Sequence, residues 1–229
     1  MTIAIMQPTY LPWIGYFDLI KSADNFIFLD DVKFEYNSWH RRNKIISNIG
    51  KEQFISIPIS SSRKFNIEKT VVNDEINWRN EHMKKITDSY KKSEYFNEVK
   101  NIFFSIIKDT SKNLLSDINV SIIKKISRAL EFNTTFHLSS EIKVQGKKSK
   151  KLLNILNYFN EEKYISPIGS KEYIEKEGLL EKEKIKIKYY NFKEKPYAQI
   201  NNKNQFISYL SIIDLMMNIG VNNSIKYFK

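Results

Sequence analysis

The chain has 229 residues, of which 41% are hydrophobic and 14% aromatic, and it contains no cysteine. This composition excludes a disordered chain, and the missing thiols exclude disulfides, thiolate nucleophiles, iron–sulfur clusters and cysteine-based zinc sites. The formal charge is +11, but only five of the 37 basic residues are arginine. Since nucleic-acid readers rely on arginine forks, we attribute the surplus lysine to codon bias rather than to polyanion binding.

Neither a targeting segment nor a membrane span is expected from the apolar segments. The apolar run at residues 1–6 is too short for a signal-peptide core. The most apolar stretch, residues 209–219, is interrupted by Ser211, Asp214 and Asn218, and no window approaches the ~18 apolar residues of a spanning helix. We therefore expect a soluble, cytoplasmic protein without membrane insertion.

The first thirty residues predict a strand, a helix and a second strand. Residues 3–6 are an apolar run closed by a Gln-Pro pair, which indicates a buried strand that ends where proline removes a hydrogen-bond donor. From Trp13 the apolar positions recur at helical spacing, and residues 25–29 form a second apolar run that ends in two aspartates. This order predicts a βαβ unit with a parallel strand pair.

The rest of the chain is expected to add helices and then further strands. Residues 36–43 are polar, aromatic and cationic, and residues 54–59 alternate like a strand. Further expected elements are helical regions at 74–108 and 112–131, a helix capped by Ser149 through Phe159, a strand at 163–166, an edge strand at 184–190 and a final helix at 209–218 closed by Gly220. We predict one Rossmann-like α/β domain over residues 1–229, with a mainly parallel sheet and a mainly helical insertion at about 74–131.

Polar side chains follow the first two predicted strands, and parallel strands bring their carboxyl ends to one edge of a sheet. Asp30 and Asp31, after the second strand, are suited to binding Mg²⁺ or to ordering a substrate. Alternatively, they form a strand-end turn in which Asp31 is a cap. Strand alternation allows only one of the pair to point into a given crevice, so we expect one functional and one structural carboxylate.

The three histidines are the other candidates for proton transfer. His82 lies on a predicted apolar helix face, where it is as readily a packed, hydrogen-bonded side chain as a general base, and its titration range is the reason to consider it. His40 lies beside Arg41 and Arg42, where cations would attract phosphate, and His137 follows Thr134, Thr135 and Phe136 without forming a recognisable catalytic or metal-binding pattern. No two histidines share metal-ligand spacing, so we expect no zinc site.

Two further groups of residues are candidates for ligand binding. Gly169, Ser170 and Lys171 follow a predicted strand and could cradle an anion at a helix N-terminus, although the full P-loop spacing is missing. The second group follows the first strand and comprises the hydrogen-bonding residues Gln7, Tyr10 and Tyr16 with Trp13 as a stacking wall. Alternatively, the two aromatic residues Trp13 and Tyr16 are a hydrophobic staple of the first helix.

The sequence QPTYLPWIGYF at residues 7–17, together with FLDDV at 28–32 and with Trp39, Arg42 and Asn43, closely resembles the WbqC-like family. Similar segments extend over nearly the whole chain, including 78–82, 164–170 and 209–215. The resemblance implies a bacterial protein of surface-polysaccharide gene clusters with a proposed role in amide transfer, glycyl transfer in particular, onto an amino sugar. Family members often have glutamine where this chain has Lys33.

Residues 7–31 are more loosely similar to the start of nucleotidyl-transferase-like folds, which make acyl adenylates. The histidine-rich signature of those enzymes is absent, and WIGY stands at residues 13–16 in its place. The resemblance therefore gives no reason to expect adenylation by this chain.

These observations lead to a hypothesis of a transferase that attaches an acyl or aminoacyl group to the amine of a nucleotide-linked 6-deoxy amino sugar in O-antigen or related glycan biosynthesis. Asp30, Asp31 or His82 would take the proton, and Arg42 and Lys171, with Arg41 as a further candidate, would hold the diphosphate. Trp13 or Tyr10 would pack on the base or the sugar. The donor would depend on ATP with Mg²⁺ or be an aminoacyl-tRNA. The alternatives are a non-catalytic scaffolding subunit of glycan assembly and a binder of tRNA or other nucleic acid. The substrate-binding candidates are Gln7, Tyr10, Trp13, Tyr16, Trp39, Arg42, Asn43, Gly169, Ser170 and Lys171.

Overall fold

The computed structural model describes residues 1–60, 65–202 and 205–228. The strands in these residues are β1 (Ile3–Met6), β2 (Asn25–Phe28), β3 (Arg42–Ile46), β4 (Glu52–Ser56), β5 (Thr135–Leu138), β6 (Lys163–Pro167) and β7 (Lys186–Tyr190). The helices are α1 (Ile14–Lys21), α2 (Trp78–Tyr90), α3 (Phe96–Ile107), α4 (Leu115–Ala129), α5 (Ser139–Ile142), α6 (Lys148–Tyr158), α7 (Lys171–Glu177), α8 (Leu179–Lys182) and α9 (Ile212–Tyr227). None of the helices in the described ranges is long and apolar enough to span a membrane.

Five strands form a parallel sheet in the order β5-β2-β1-β6-β7. The chain adds strands outward from β1 to β2 and β5, and then returns past β1 to add β6 and β7 on the other side. The order therefore reverses between β1 and β6, and in sheets of this kind ligands bind outside the carboxyl ends of the strands at that point. The predicted βαβ start and the predicted Rossmann-like α/β fold are confirmed.

Helices cover both faces of the sheet. In β1, Ala4 packs into a core that includes α1, α2, α3, α4 and α9, whereas Ile3 and Ile5 pack against α6, α7 and α8 on the opposite face. Alternate residues of a strand point to opposite faces, so a sheet covered on both sides needs apolar residues at every position. This requirement explains the continuous apolar runs of β1 and β2.

The helices α2, α3 and α4 lie between β4 and β5, within the segment predicted to be a helical insertion. The region predicted as mainly helical at 74–108 is divided by a turn between Tyr90 and Phe96. The domain limits, residues 1–229, stay a prediction.

Two strands were not predicted. β3 begins in the polar segment at 36–43 and contributes only two adjacent apolar residues, Ile45 and Ile46, so its sequence lacks a strand period. Its partner is β4, which ends at Ser56 rather than at residue 59. β5 lies at one edge of the parallel sheet and is only partly buried, and such a strand needs no continuous apolar run.

One predicted helix boundary is wrong and another is confirmed. Ser149 does not cap α6, because the cap residue is Lys147 and Ser149 lies in the first turn, where its backbone N–H donates to Oε2 of Glu177 at 3.2 Å. Gly220 ends the first part of α9 as predicted, because its backbone is non-helical at φ 77° and ψ 170°, and a second helical part that was not predicted follows it to Tyr227. A Cβ at Gly220 would lie 2.5 Å from the ring of Tyr95, so the close approach of that ring also requires glycine.

Candidate functional site

A cavity of about 280 Å³ lies at the carboxyl end of β1, where the strand order reverses. Its wall combines the end of β1, the start of α1, part of β3 and the segment before α9. Aromatic rings form much of the wall, with few polar groups between them, which is the usual composition of a small-molecule site. The residues that line this aromatic cavity are Met6, Thr9, Trp13, Tyr16, Trp39, Asn43, Lys44 and Tyr209. The predicted residues Trp13, Tyr16, Trp39 and Asn43 are thus brought together.

The indole of Trp13 is held in the cavity wall by three neighbours. Its ring centroid lies 5.3 Å from that of Tyr209 and 5.5 Å from that of Phe192. Beneath it, a Cβ on Gly15 would lie only 2.3 Å from the indole, so glycine is needed for the ring to pack there. Tyr16 is buried and donates its hydroxyl proton to the carbonyl of Gln7 at 3.1 Å, so it offers the cavity its ring rather than a proton.

Gln7 is oriented by a buried histidine. Nδ1 of His40 accepts the N–H of Glu35 at 3.3 Å, so Nε2 carries the ring proton and donates it to Oε1 of Gln7 at 2.9 Å. Burial lowers the pKa of His40 to about 4, so the ring is neutral near pH 7. A neutral ring does not attract phosphate, so the attraction expected in this segment would have to come from Arg41 and Arg42 rather than from His40. Its hydrogen bond fixes Oε1 of Gln7 beside the cavity wall, although Gln7 is not among the residues that line the cavity.

Tyr10 and His82 form a buried pair that does not line the aromatic cavity. The Ser56 carbonyl, 3.1 Å from Nε2 of His82, can only accept, so Nε2 donates and Nδ1 accepts the hydroxyl proton of Tyr10 at 2.8 Å. Burial lowers the pKa of His82 to about 3 and raises the pKa of Tyr10. Both ring nitrogens are engaged and the ring is 3% exposed, which favours the packed, hydrogen-bonded interpretation of His82 over a general base.

The two aspartates after β2 contact side chains that follow β5 and that lie on α6. Asp30 is buried and accepts from the backbone N–H of Ser140 at 3.0 Å and from its hydroxyl at 2.7 Å. Asp31 accepts from the hydroxyl of Ser139 at 2.6 Å and from the buried ammonium of Lys151 at 2.5 Å. The carboxylates are therefore occupied by protein donors. Among the described residues, no group of three or more histidine and carboxylate side chains is placed to hold a metal ion.

The expectation that the two aspartates point in opposite directions is wrong. The hydroxyl of Ser139 lies 3.1 Å from Oδ1 of Asp30 and 2.6 Å from Oδ1 of Asp31, so both carboxylates meet at one side chain. Strand alternation does not apply to them, because β2 ends at Phe28. Lys151, which the sequence did not single out, completes this cluster.

Beside the aromatic cavity, the β3–β4 hairpin carries an exposed aromatic and cationic surface. Trp39 is 50% exposed and lies nearly parallel to Phe54, with ring centroids 6.3 Å apart. The guanidinium of Arg42 lies 5.0 Å above Phe54 and donates one N–H to the Asn37 carbonyl at 2.8 Å. Nε of Arg42 is buried and has no hydrogen-bond partner among the described residues. The Asn37 carbonyl uses one N–H of Nη2, so the guanidinium keeps further N–H donors for an anion beside Phe54.

Neighbouring polar residues of the hairpin have other partners. Asn43 is buried and donates to the carbonyl of Tyr10 at 3.2 Å, so it fixes the backbone after β1 as well as lining the cavity. Lys44 pairs with Glu52 at 2.7 Å. Arg41 donates to the Ile57 carbonyl at 2.8 Å and to a second carbonyl, that of residue 36, at 2.9 Å, which leaves it few donors for a ligand.

The second predicted rim lies after β6 but does not line the aromatic cavity. Gly169 is exposed, and a Cβ there would meet no atom within 4 Å. Lys171 is exposed, lies 3.8 Å from Glu175 and stands 5.5 Å above the ring of Tyr189. Gly169, Ser170 and Lys171 are thus at the expected edge of the sheet, but the structure does not join them to the other candidates.

The segment between β7 and α9 supplies site residues that the sequence did not indicate. Tyr209 closes one side of the aromatic cavity, and its backbone N–H donates to Oε2 of Glu194 at 2.7 Å. The other oxygen of Glu194, Oε1, is buried and has no partner among the described residues. Burial raises the pKa of this carboxyl. A glutamate between two lysines gives no sequence signal of such a position.

Asp214 anchors the same segment to the helices. Its carboxylate is fully buried and accepts from the hydroxyls of Tyr90 at 2.9 Å and Tyr197 at 2.8 Å, and from the amide of Gln199 at 2.8 Å. Burial raises the pKa of Asp214 despite these donors. An aspartate within the apolar stretch at 209–219 is the signal that could have indicated it.

The reversing parallel sheet defines a Rossmann-like α/β protein, and the aromatic cavity at its first strand is the candidate site. The chain belongs to the WbqC-like protein family, whose model matches residues 7–226. It is 27% identical over 221 residues to the Mycobacterium tuberculosis protein named "Uncharacterized protein Rv1507c", and the match covers 95% of this chain and 94% of that protein. No solved structure matches the chain.

Proposed function

We propose that the protein transfers a small acyl or aminoacyl group, glycyl in particular, to the amine of a nucleotide-linked amino sugar in the biosynthesis of O-antigen or a related surface glycan. The observation that carries the proposal is the aromatic cavity at the reversal of strand order. Family membership supports it. At about 280 Å³ the cavity is near the lower limit for ligand pockets, so it suits one sugar ring rather than a whole nucleotide sugar.

In this proposal the sugar ring lies in the cavity and the nucleotide lies along the hairpin. Trp13 and Tyr209, which line the cavity, would pack against the apolar faces and methyl group of a 6-deoxy sugar. The base would stack on the exposed indole of Trp39. The diphosphate would then lie near Arg42, whose guanidinium has N–H donors that the Asn37 carbonyl does not use.

Amide formation needs a neutral amine and a proton acceptor. The amine nitrogen would form a bond to the acyl carbonyl carbon, the bond from that carbon to the leaving oxygen of the donor would break, and the oxygen would leave with the electron pair. An activated carboxylate made with ATP and Mg²⁺ and an aminoacyl-tRNA ester both carry such an oxygen, so the donor stays a prediction.

We propose Glu194 as the group that takes the proton from the attacking amine. The earlier candidates Asp30, Asp31 and His82 already accept protein donors, whereas Oε1 of Glu194 does not. The carboxyl is tied to the backbone of a cavity residue, Tyr209. Burial raises the pKa of Glu194, which makes it a stronger base than an ordinary carboxylate.

The test is to incubate the purified protein with nucleotide-linked amino sugars and either glycine with ATP and Mg²⁺ or glycyl-tRNA, and to measure the product by mass spectrometry. We expect the sugar nucleotide to gain the mass of one acyl group. Glu194→Gln should lower the rate about 100-fold or more, whereas the matched control Glu183→Gln, at an exposed glutamate, should not. No product with any donor would contradict the proposal.

The hairpin surface supports a second candidate, a binder of single-stranded nucleic acid such as the end of a tRNA. Stacked aromatic rings with arginine beside them are typical of sequence-tolerant nucleic-acid binding. A gel shift with tRNA that weakens steeply with salt and is lost in Trp39→Ala would favour this function.

A further inference from the structure

A second cavity, of about 470 Å³, opens beside β7 and the segment that follows it. We call it the lysine cavity, because Lys188, Lys193 and Lys195 line it. Phe192 also lines it, and the ring of this residue packs against Trp13 of the aromatic cavity with centroids 5.5 Å apart. The two cavities are therefore neighbours, separated by a pair of aromatic rings.

The lysine cavity carries a surplus of positive charge. None of its three lysines lies within 4.0 Å of a carboxylate in the described part of the chain. The residues that line the cavity carry three ammonium groups and one carboxylate, that of Asp18, so the local charge is +2. Burial raises the pKa of Asp18, and Lys21 and Lys195 oppose that rise. Like charges that converge on one cavity repel each other, and an anionic ligand relieves that repulsion.

One wall of the lysine cavity is held rigidly. The hydroxyl of Tyr227 accepts the backbone N–H of Lys195 at 2.7 Å and donates to the carbonyl of the same residue at 2.7 Å. Burial raises the pKa of Tyr227 to about 12, so the hydroxyl keeps its proton near pH 7. The ammonium of Lys195 lies 6.0 Å from the centre of the Tyr227 ring. The last helix thus fixes the position from which Lys195 reaches the cavity.

The short segment 193–195 connects the walls of the two cavities. Glu194 accepts from the backbone of Tyr209 in the wall of the aromatic cavity, whereas Lys193 and Lys195, on either side of it, line the lysine cavity. A ligand with phosphates against these lysines would therefore lie one residue from the carboxyl group that we propose as the proton acceptor.

We propose that the lysine cavity binds a nucleoside di- or triphosphate as a second ligand, distinct from the acceptor in the aromatic cavity. Lysines would neutralise the phosphates, and Phe192 and Tyr227 would offer ring surface to the base. The volume of about 470 Å³ lies within the range of small-molecule sites. Binding itself is independent of the reaction, but the role of the nucleotide in activating the acyl donor rests on the proposed function.

The test is isothermal titration calorimetry of the full chain with ADP, ATP, pyrophosphate and adenosine. We expect ADP and ATP to bind and adenosine to bind much more weakly. Lys193→Gln and Lys195→Gln should each weaken ADP binding about tenfold. The matched control Lys84→Gln, at an exposed lysine of α2, should leave it unchanged. Asp18→Asn should tighten binding, because it removes a negative charge from the cavity.

Several results would overturn the proposal. These are no binding of ADP or ATP, equal effects of the control and the cavity lysines, or weaker binding in Asp18→Asn. Pyrophosphate that binds as tightly as ADP would overturn the part that assigns a nucleoside. ADP binding that depends on the lysines, without any acylated product, would uphold this inference while the proposed function fails. If the acylated product forms equally well in both lysine variants and ADP does not bind, the proposed function is upheld and this inference fails.

Discussion

The substitution Gly15→Ala tests the packing of the aromatic cavity. An alanine Cβ at this position would lie 2.3 Å from Cη2 and 2.5 Å from Cζ2 of Trp13. Carbon atoms in contact need about 3.5–4.0 Å, so the indole must move by about 1 Å or more. Overpacking costs about 1–3 kcal/mol, and replacing glycine by alanine within a helix returns about 1 kcal/mol. We therefore expect the free energy of unfolding to fall by about 0–2 kcal/mol.

The same movement would push the indole of Trp13 into the cavity or away from Tyr209. We expect the affinity for a nucleotide-linked amino sugar, measured by calorimetry, to fall about tenfold, which corresponds to about 1.4 kcal/mol of lost contact. Urea unfolding followed by tryptophan fluorescence gives the stability. The matched control is Gly169→Ala, where an added Cβ meets no atom within 4 Å.

A double-mutant cycle isolates the indole as the cause. In a Trp13→Ala background the obstacle is gone, so Gly15→Ala should be neutral or stabilise the protein by up to about 1 kcal/mol. Two results would refute the reasoning about the cavity wall. One is a free energy of unfolding and a ligand affinity of Gly15→Ala equal to those of Gly169→Ala, and the other is an effect of Gly15→Ala that is unchanged when Trp13 is removed.

Three further predictions concern buried polar groups. Tyr10→Phe should lower the free energy of unfolding by about 1–3 kcal/mol in urea titrations, because Nδ1 of His82 loses its donor, and an unchanged value would contradict the pairing. Burial lowers the pKa of His40 to about 4 and of His82 to about 3, so their stabilising effect is complete above about pH 6.5 and is lost as the pH falls. Protonation of each histidine should lower the free energy of unfolding by about 2 kcal/mol between pH 7 and about pH 5 in urea titrations. His82→Asn should make the free energy of unfolding less dependent on pH in this range. Lys151→Met should destabilise the protein by about 3 kcal/mol, because it leaves the carboxylate of Asp31 without its cation, and a neutral result would argue against the ion pair.

Much of the fold was predictable because local patterns determine it. The apolar runs of β1 and β2 follow from burial on both faces of a parallel sheet. The apolar residues after Trp13 recur at helical spacing because one side of α1 packs into the core. β3 and β5 were missed because neither has the continuous apolar sequence of a central strand. β3 pairs only with β4 in a hairpin, and β5 lies at the edge of the parallel sheet.

The candidate site was only partly predictable, because it combines distant parts of the chain. Trp13 and Trp39 lie in a recognisable N-terminal segment, but Tyr209 comes from the other end of the chain and reaches the cavity only through tertiary packing. For His82, the sequence left packing and catalysis as alternatives. Only its buried contacts with Tyr10 and the Ser56 carbonyl separate the two.

The most direct test of the central claim is a structure of the protein with a bound nucleotide-linked amino sugar. We predict that the sugar ring lies against Trp13 and Tyr209 in the aromatic cavity and that the diphosphate lies near Arg42. A sugar bound elsewhere, for example at the Asp31–Lys151 pair after β2, would contradict the account.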